Sequence, residues 1–208
     1  MPPRMRTPEE KRRDKQKIID AALLIVQKDG LNGLTTRKLS AQLNMSSANI
    51  YNYFYNKEEI YLHILITGFQ ILQEELEEEL KSLVDPIERL DRSLRCVVGF
   101  AVHHESYYKL MFSTQDPKPM DYIGTPIEEL AQYEKKVAMR PFYELENLIL
   151  ACDSKLEGKR LHLTTIRVFS KIHGGINLYQ SNIIRETDIE PIEFLDCMIE
   201  DILLEFRQ

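Results

Sequence analysis

Apolar positions recur three and four residues apart along most of the chain, the spacing of amphipathic helices. The first helix has its own start signal. Thr7 can cap it, Pro8 takes the first helical position, and Glu10 stands where a capping box needs a carboxylate. Ile18, Ala21, Ala22, Ile25 and Val26 follow on one face, and Gly30 is a stop. A short helix fits Thr36 to Leu43, with Leu39 and Leu43 on one side, and Asn44-Met45-Ser46 breaks it. A second short helix fits Ser47 to Phe54, with Ile50 and Phe54 inward at i, i+4. Asn56 caps a long helix through Ile60, Ile64, Phe69, Leu72, Leu76 and Leu80. Pro86 opens the next, followed by the short YYKLMF segment and a polar loop from Gln115 to Pro126. Helices over about 126–152, 158–184 and 191–206 complete an all-α chain of about nine helices without internal repeats.

Two short helices joined by about three residues and packed on an earlier helix describe a helix-turn-helix. The outer face of the second is unusual: Ser47, Ala48, Asn49, Tyr51, Asn52 and Tyr53 carry no charge, where a solvated helix would show Glu and Lys. Small residues let a backbone approach a duplex, and amides and hydroxyls can pair with base edges and phosphate oxygens. Lys57, in the first turn of the next helix beside free N–H groups, suits a phosphate. Charge sharpens this division. Up to Lys57 there are 11 Lys and Arg against 5 Asp and Glu; beyond it there are 16 against 28. A basic head on an acidic body points to a polyanion at the head alone. The boundary falls near residue 57, giving a helix-turn-helix domain over 1–57 and a helical domain over 58–208, with no flexible linker. A short arm from Met1 to Arg6 precedes the head and carries Arg4 and Arg6.

The run GLTTRKLSAQLNMSSANIYNYFYNKEEI resembles the DNA-binding domain of TetR-family transcriptional regulators. It shares the Thr-x-x-x-Leu-(Ala/Ser) helix, the turn, the Tyr-x-x-Phe segment and the Asn-Lys-Glu-x-(Leu/Ile) entry to helix four. Asn44 replaces the family's usual glycine, and Tyr53 stands where histidine is frequent. The resemblance implies that Thr36 and Arg37 start the helix that straddles the DNA backbone. It also implies that Ser47, Ala48, Asn49, Tyr51 and Asn52 face bases or adjoining phosphates, while Tyr53 and Lys57 hold phosphate. The competing reading is that Tyr51 and Tyr53 simply pack between helices.

The same resemblance implies a homodimer on a palindromic double-stranded operator and a small-molecule effector among helices four to eight. The expected output is repression relieved by that effector. Candidate pocket residues are Phe100, His104, Met111, Phe112, Phe142, His173 and Asn177, with core filling as the alternative. The last two helices carry apolar stripes suited to an intermolecular four-helix bundle, and an intramolecular core fits the same pattern. Ile172, Gly175, Ile176, Tyr179, Leu195, Ile199 and Ile202 are the expected dimer residues. Gly174-Gly175 within a helix costs about 1 kcal/mol per glycine relative to alanine. Close contact at the dimer seam is the expected compensation, ahead of room for a ligand.

No catalytic motif emerges: there is no G-x-S-x-G elbow, Walker loop or G-x-G-x-x-G turn, and no histidine pair has the spacing of H-E-x-x-H. No enzyme activity, metal or cofactor is expected. Three scattered cysteines, a polar N-terminus and the lack of an eighteen-residue apolar run point to a cytoplasmic protein without a membrane partner. Two rivals stand beside the regulator: an architectural DNA-binding dimer that needs no effector, and a helical carrier or enzyme with a vestigial head.

Overall fold

The structure, a computed structural model, describes residues 6–112, 117 and 119–207. Arg4 and, in the polar loop, Gln115, Asp116 and Lys118 lie outside the described residues. Among those described there are nine α-helices, two short 3-10 turns and no strand, so the chain is all-α. None of these helices is long and apolar enough to cross a membrane. The chain forms two compact units, one of residues 1–69 with 106–137 and the other of residues 70–105 with 138–208. This division follows packing, whereas the boundary near residue 57 follows charge.

In the first unit, α1 (Pro8–Gly33) starts at the expected box. The Glu10 N–H donates to Thr7 Oγ1 at 3.2 Å, and the Thr7 N–H donates to Glu10 Oε2 at 2.7 Å. Gly30 breaks the helix near its end at φ 69°, ψ 177°, a region open in practice only to glycine. A Cβ there would meet nothing within 4 Å, so the backbone angle rather than crowding requires the residue. Helix α2 (Thr36–Leu43) has the expected limits, and Thr35 caps it. Asn44 then takes the left-handed conformation at φ 52°, ψ 37°, a geometry that asparagine tolerates better than most residues after glycine.

Helix α3 (Ser47–Tyr51) is shorter than the expected Ser47–Phe54. Its last turn tightens: the Tyr53 N–H reaches back three residues to the Ile50 carbonyl, and the Phe54 N–H reaches the same oxygen. Phe54 therefore still comes round to the inner side. Helix α4 (Lys57–Leu80) follows, and Asn56 Oδ1 accepts from the Glu59 N–H at 2.8 Å. Ile18, Ala22, Leu34, Leu39, Ile50, Phe54, Tyr61 and Ile64 form the core that joins these four helices. Helix α6 (Glu105–Met111) lies close against α4, because a Cβ on Gly68 would stand 2.7 Å from Met111 Sδ and 2.9 Å from Tyr107 Cδ1.

In the second unit, α5 (Pro86–His103), α8 (Gly158–Gln180) and α9 (Pro191–Leu204) pack on one another. Helix α7 (Glu128–Cys152) begins in the first unit and ends in the second. Arg95 on α5 bridges Asp196 and Glu200 on α9. The C-terminal stripes are turned inward. Ile172, Ile176, Leu195, Ile199 and Ile202 are each no more than 2% exposed, Gly175 is buried and Tyr179 half-buried. The expected dimer residues other than Tyr179 are thus covered by their own chain. Gly175 has the same explanation, because a Cβ there would stand 2.4 Å from Met198 Sδ on α9. Helix α8 also ends at Gln180, short of the expected Ile184, where Asn182 turns left-handed before a 3-10 turn.

Two positive-φ positions of the first unit, Gly30 and Asn44, should register in stability. Asn44→Ala is expected to cost about 1–2 kcal/mol and Asn44→Gly to be near neutral. Gly30→Ala should cost about 1–3 kcal/mol. Urea denaturation midpoints measure all three, and a neutral Asn44→Ala would contradict the assigned turn geometry.

Candidate nucleic-acid interface

Ile50 and Phe54, each 2% exposed, fix the orientation of α3. With those two side chains inward, Ser47, Ala48, Tyr51 and Asn52 are exposed on the outer side and Asn49 is half-buried. Ser46 caps the helix by accepting from the Asn49 N–H at 3.2 Å, which leaves the Asn49 amide side chain outside the capping bond. Two hydroxyl pairs bind α3 to α2: Tyr51 Oη lies 2.9 Å from Thr36 Oγ1, and Ser47 Oγ lies 3.1 Å from Ser40 Oγ. Tyr51 is 57% exposed despite its tether, so its ring edge stands in solvent while its hydroxyl is fixed. The reading of Tyr51 as a side chain packed between helices does not match that exposure.

The cations divide by partner. Lys38 is paired with Asp29 at 2.8 Å, and that bond holds the Asp29 carboxyl below its ordinary range. Arg37, one residue earlier, is exposed. Lys57 is the first residue of α4, half-buried, with its Nζ 4.0 Å from Glu58. It therefore stands beside the free N–H groups of a 24-residue helix, where the helix dipole favours an anion. Tyr53 is half-buried, and its hydroxyl donates to Asp14 Oδ2 at 3.0 Å and accepts from Arg6. The phosphate role expected of Tyr53 thus competes with a bond inside the protein.

Two residues at this surface were not among the expected contacts. Tyr55 is 63% exposed beside the α3–α4 turn, and its single aromatic ring gave no periodic signal. Arg6 belongs to a six-residue arm with too little pattern to place, although a charge so close to a capping box was a clue.

The expected effector residues are divided between the two units. In the second unit Phe100 is buried and stacks on His104 at 5.0 Å, and His104 bonds Glu75 at 3.0 Å. Phe142 and His173 meet through Phe169, at 5.8 and 3.9 Å, while Asn177 is exposed. Burial pulls His173 down to about 4, so the ring is neutral. Met111 and Phe112 belong to the first unit, where Met111 packs against Gly68 and Phe112 against Phe69. A cleft of about 570 Å³ in the second unit is lined by none of the seven; Leu76, Leu80, Leu148 and Ala151 supply apolar walls and Glu77, Glu144 and Arg89 polar ones. Among the described residues no group of three or more His, Cys, Asp and Glu side chains is arranged to hold a metal ion.

An α3 locked by two buried side chains, presenting an uncharged outer face beside a lysine-bearing helix start, defines a helix-turn-helix protein of the DNA-binding class. Residues 18–64 match the family described as bacterial regulatory proteins, tetR family, so this head is a TetR-type DNA-binding domain. Among solved structures it is similar to the TetR-family transcriptional regulator PfmR from Thermus thermophilus, at 18% identity over 89% of this chain and 96% of that one, with a TM-score of 0.67. It is also similar to the fatty acid degradation regulator FadR from Bacillus halodurans, at 14% identity, 96% and 97% coverage and a TM-score of 0.68. A TetR-family transcriptional regulator from Bordetella parapertussis 12822 has 16% identity, 94% coverage of both chains and a TM-score of 0.69. At such identities these likenesses concern the fold. No curated protein sequence matches the chain.

Beneath the interface, His63 on α4 lies 3.0 Å from Lys15 Nζ and 3.7 Å from Glu59, with its ring edge-on to Phe54. Burial, followed by the Lys15 charge, lowers it from 6.5 to about 4. The folded protein therefore resists a proton that the unfolded chain accepts. Stability from this group is full above pH 6.5, declines as pH falls and levels off below about 4. By pH 4.5 the loss should reach about 2–3 kcal/mol. Urea denaturation at pH 7.5 and 4.5 should show a smaller acid loss in His63→Gln than in the wild type; equal losses would rule His63 out as the cause.

Proposed function

We propose that the chain is a homodimeric, sequence-specific transcriptional repressor that binds a palindromic operator and is released by a small apolar or amphipathic effector. The observation that carries the reading is the outer side of α3: Ser47, Ala48, Tyr51 and Asn52 are exposed and uncharged on a helix whose inner side is fixed by Ile50 and Phe54. Thr36, Arg37, Ser47, Ala48, Asn49, Tyr51, Asn52 and Lys57 are the proposed DNA contacts. Direct base reading would fall to Asn49, Tyr51 and Asn52, and phosphate binding to Thr36, Arg37 and Lys57.

For the dimer we propose the side of α8 that its own chain leaves open. Leu163, Ile166, Ser170, Gly174 and Leu178 follow one another at helical spacing and are all exposed. A Cβ on Gly174 would meet nothing within 4 Å, so this glycine is free to admit a second helix. Leu163 and Ile166 are 50% and 41% exposed, apolar surface that a second helix could cover.

Effector release is proposed as a population shift. The 570 Å³ cleft has the size and the mixed lining of a small-molecule site. An effector that favours one arrangement of the dimer changes DNA affinity only by its difference in affinity for the two arrangements. Couplings of about 1–3 kcal/mol already give 5–150-fold. Helix α4 leads from Lys57 at the interface to Leu76 and Leu80 at the cleft, so the two proposed sites share one helix.

Footprinting on the region upstream of the coding sequence should reveal an inverted repeat bound with a steep loss of affinity as salt rises. Tyr51→Ala and Lys57→Ala should each weaken that complex at least about tenfold, consistent with the 1–3 kcal/mol typical of one contact, while leaving circular dichroism unchanged. Wild-type affinity in both would remove the assigned contacts. Gly174→Arg should sediment as a folded monomer with weakened operator binding; an intact dimer would exclude this side of α8. A panel of acyl and aromatic compounds that changes neither operator affinity nor dissociation rate would favour an architectural dimer.

A further inference from the structure

Tyr53, Asp14 and Arg6 form a closed arrangement at the edge of the interface. The Tyr53 hydroxyl has one hydrogen, and it donates that hydrogen to Asp14 Oδ2 at 3.0 Å. Its oxygen accepts from Arg6 Nη1, which also lies 2.8 Å from the same carboxylate oxygen. The guanidinium carbon sits 5.9 Å from the centre of the Tyr53 ring, within cation–π reach. The backbone is fixed as well, because Thr7, the next residue, is held by the capping box with Glu10.

This geometry changes which group is available to a phosphate. For the phenol to donate to a phosphate it must first give up Asp14. The guanidinium has five N–H donors in a rigid fork, and the bonds to Tyr53 and Asp14 run through Nη1 alone. Exposure orders the ion pair: the Asp14 side chain is 21% exposed and that of Arg6 43%, so the carboxylate is the inner member and the cation the outer one. Tyr53 lies two residues beyond the exposed end of α3, and Lys57 begins the next helix four residues later. Arg6 is thus bonded to the segment that joins the exposed end of α3 to the start of α4.

We infer that Arg6 is a phosphate-binding residue of the interface, and that Tyr53 and Asp14 are positioning residues that hold its guanidinium there. The inference rests on the reading of the helix-turn-helix as a DNA-binding surface. It moves the phosphate contact expected of Tyr53 to a residue 47 positions earlier.

The test uses the full chain and a fluorescein-labelled DNA duplex of arbitrary sequence, because phosphate binding is sequence-independent. Anisotropy titrations over a salt series give affinity and its salt slope. Arg6→Ala should weaken binding and flatten the slope by about 0.9 for each phosphate that is no longer neutralised. Arg6→Lys should restore the slope, because the charge returns without the fork. Tyr53→Phe keeps the ring and should weaken binding several-fold in the wild-type background, yet change nothing further in Arg6→Ala. Additive effects of Tyr53→Phe and Arg6→Ala would show that Tyr53 touches DNA independently, which overturns the inference. So would an unchanged slope in Arg6→Ala while the wild type binds with a steep one. If the wild type binds no duplex at any salt concentration, the DNA-binding reading and this inference fall together.

Discussion

The burial of Ile50 and Phe54 is the constraint on which the interface depends. Helix α3 has five residues, too few to be stable alone, so tertiary packing must hold it. Two side chains at i, i+4 enter the core beside Ile18, Leu39 and Tyr61, and their direction determines where every other side chain of the helix points. Each such burial is worth about 1.5–3 kcal/mol, comparable to the entropy of ordering one or two residues. The hydroxyl pairs Tyr51–Thr36 and Ser47–Ser40 add direction more than energy. A reading surface assembled this way is rigid because it is attached from below.

The head also manages its charge. Lys38 is neutralised by Asp29 and Arg6 is steadied by Asp14, whereas Arg37 is exposed and Lys57 stands at a helix start. Pairing costs a cation some of its field but fixes its position, and a positioned donor meets a phosphate with less loss of side-chain entropy. Half-buried, neutral His63 lies beside Lys15 and Phe54, so this part of the head keeps a cation close without adding a second charge.

The C-terminal helices show the limit of pattern reading. An apolar stripe records that a helix face is covered, and the same spacing serves a contact within the chain or between chains. In α8 and α9 the strongest stripe is covered by their own chain and by α5. The weaker stripe, with Leu163, Ile166 and Leu178, is interrupted by Ser170 and Gly174, so its apolar period is faint. Adjacent glycines 174 and 175 have different surroundings, one open and one against Met198, and no local rule separates them.

By itself the sequence determined the features set by neighbours along the chain. These were the cap at Thr7 and Glu10, the left-handed Asn44, the limits of α2, the inward pair Ile50 and Phe54, and the charge division near residue 57. Backbone angles, caps and helical period act over a few residues, so residue types suffice to state them. Only the tertiary structure decided that Tyr53 bonds Asp14 and Arg6, that the expected pocket residues are divided between two compact units, and that the C-terminal stripes close on their own chain. Those facts join residues up to 47 positions apart in the head, and still farther apart in the second unit. Such contacts depend on how whole helices pack, and one-dimensional spacing carries no record of that.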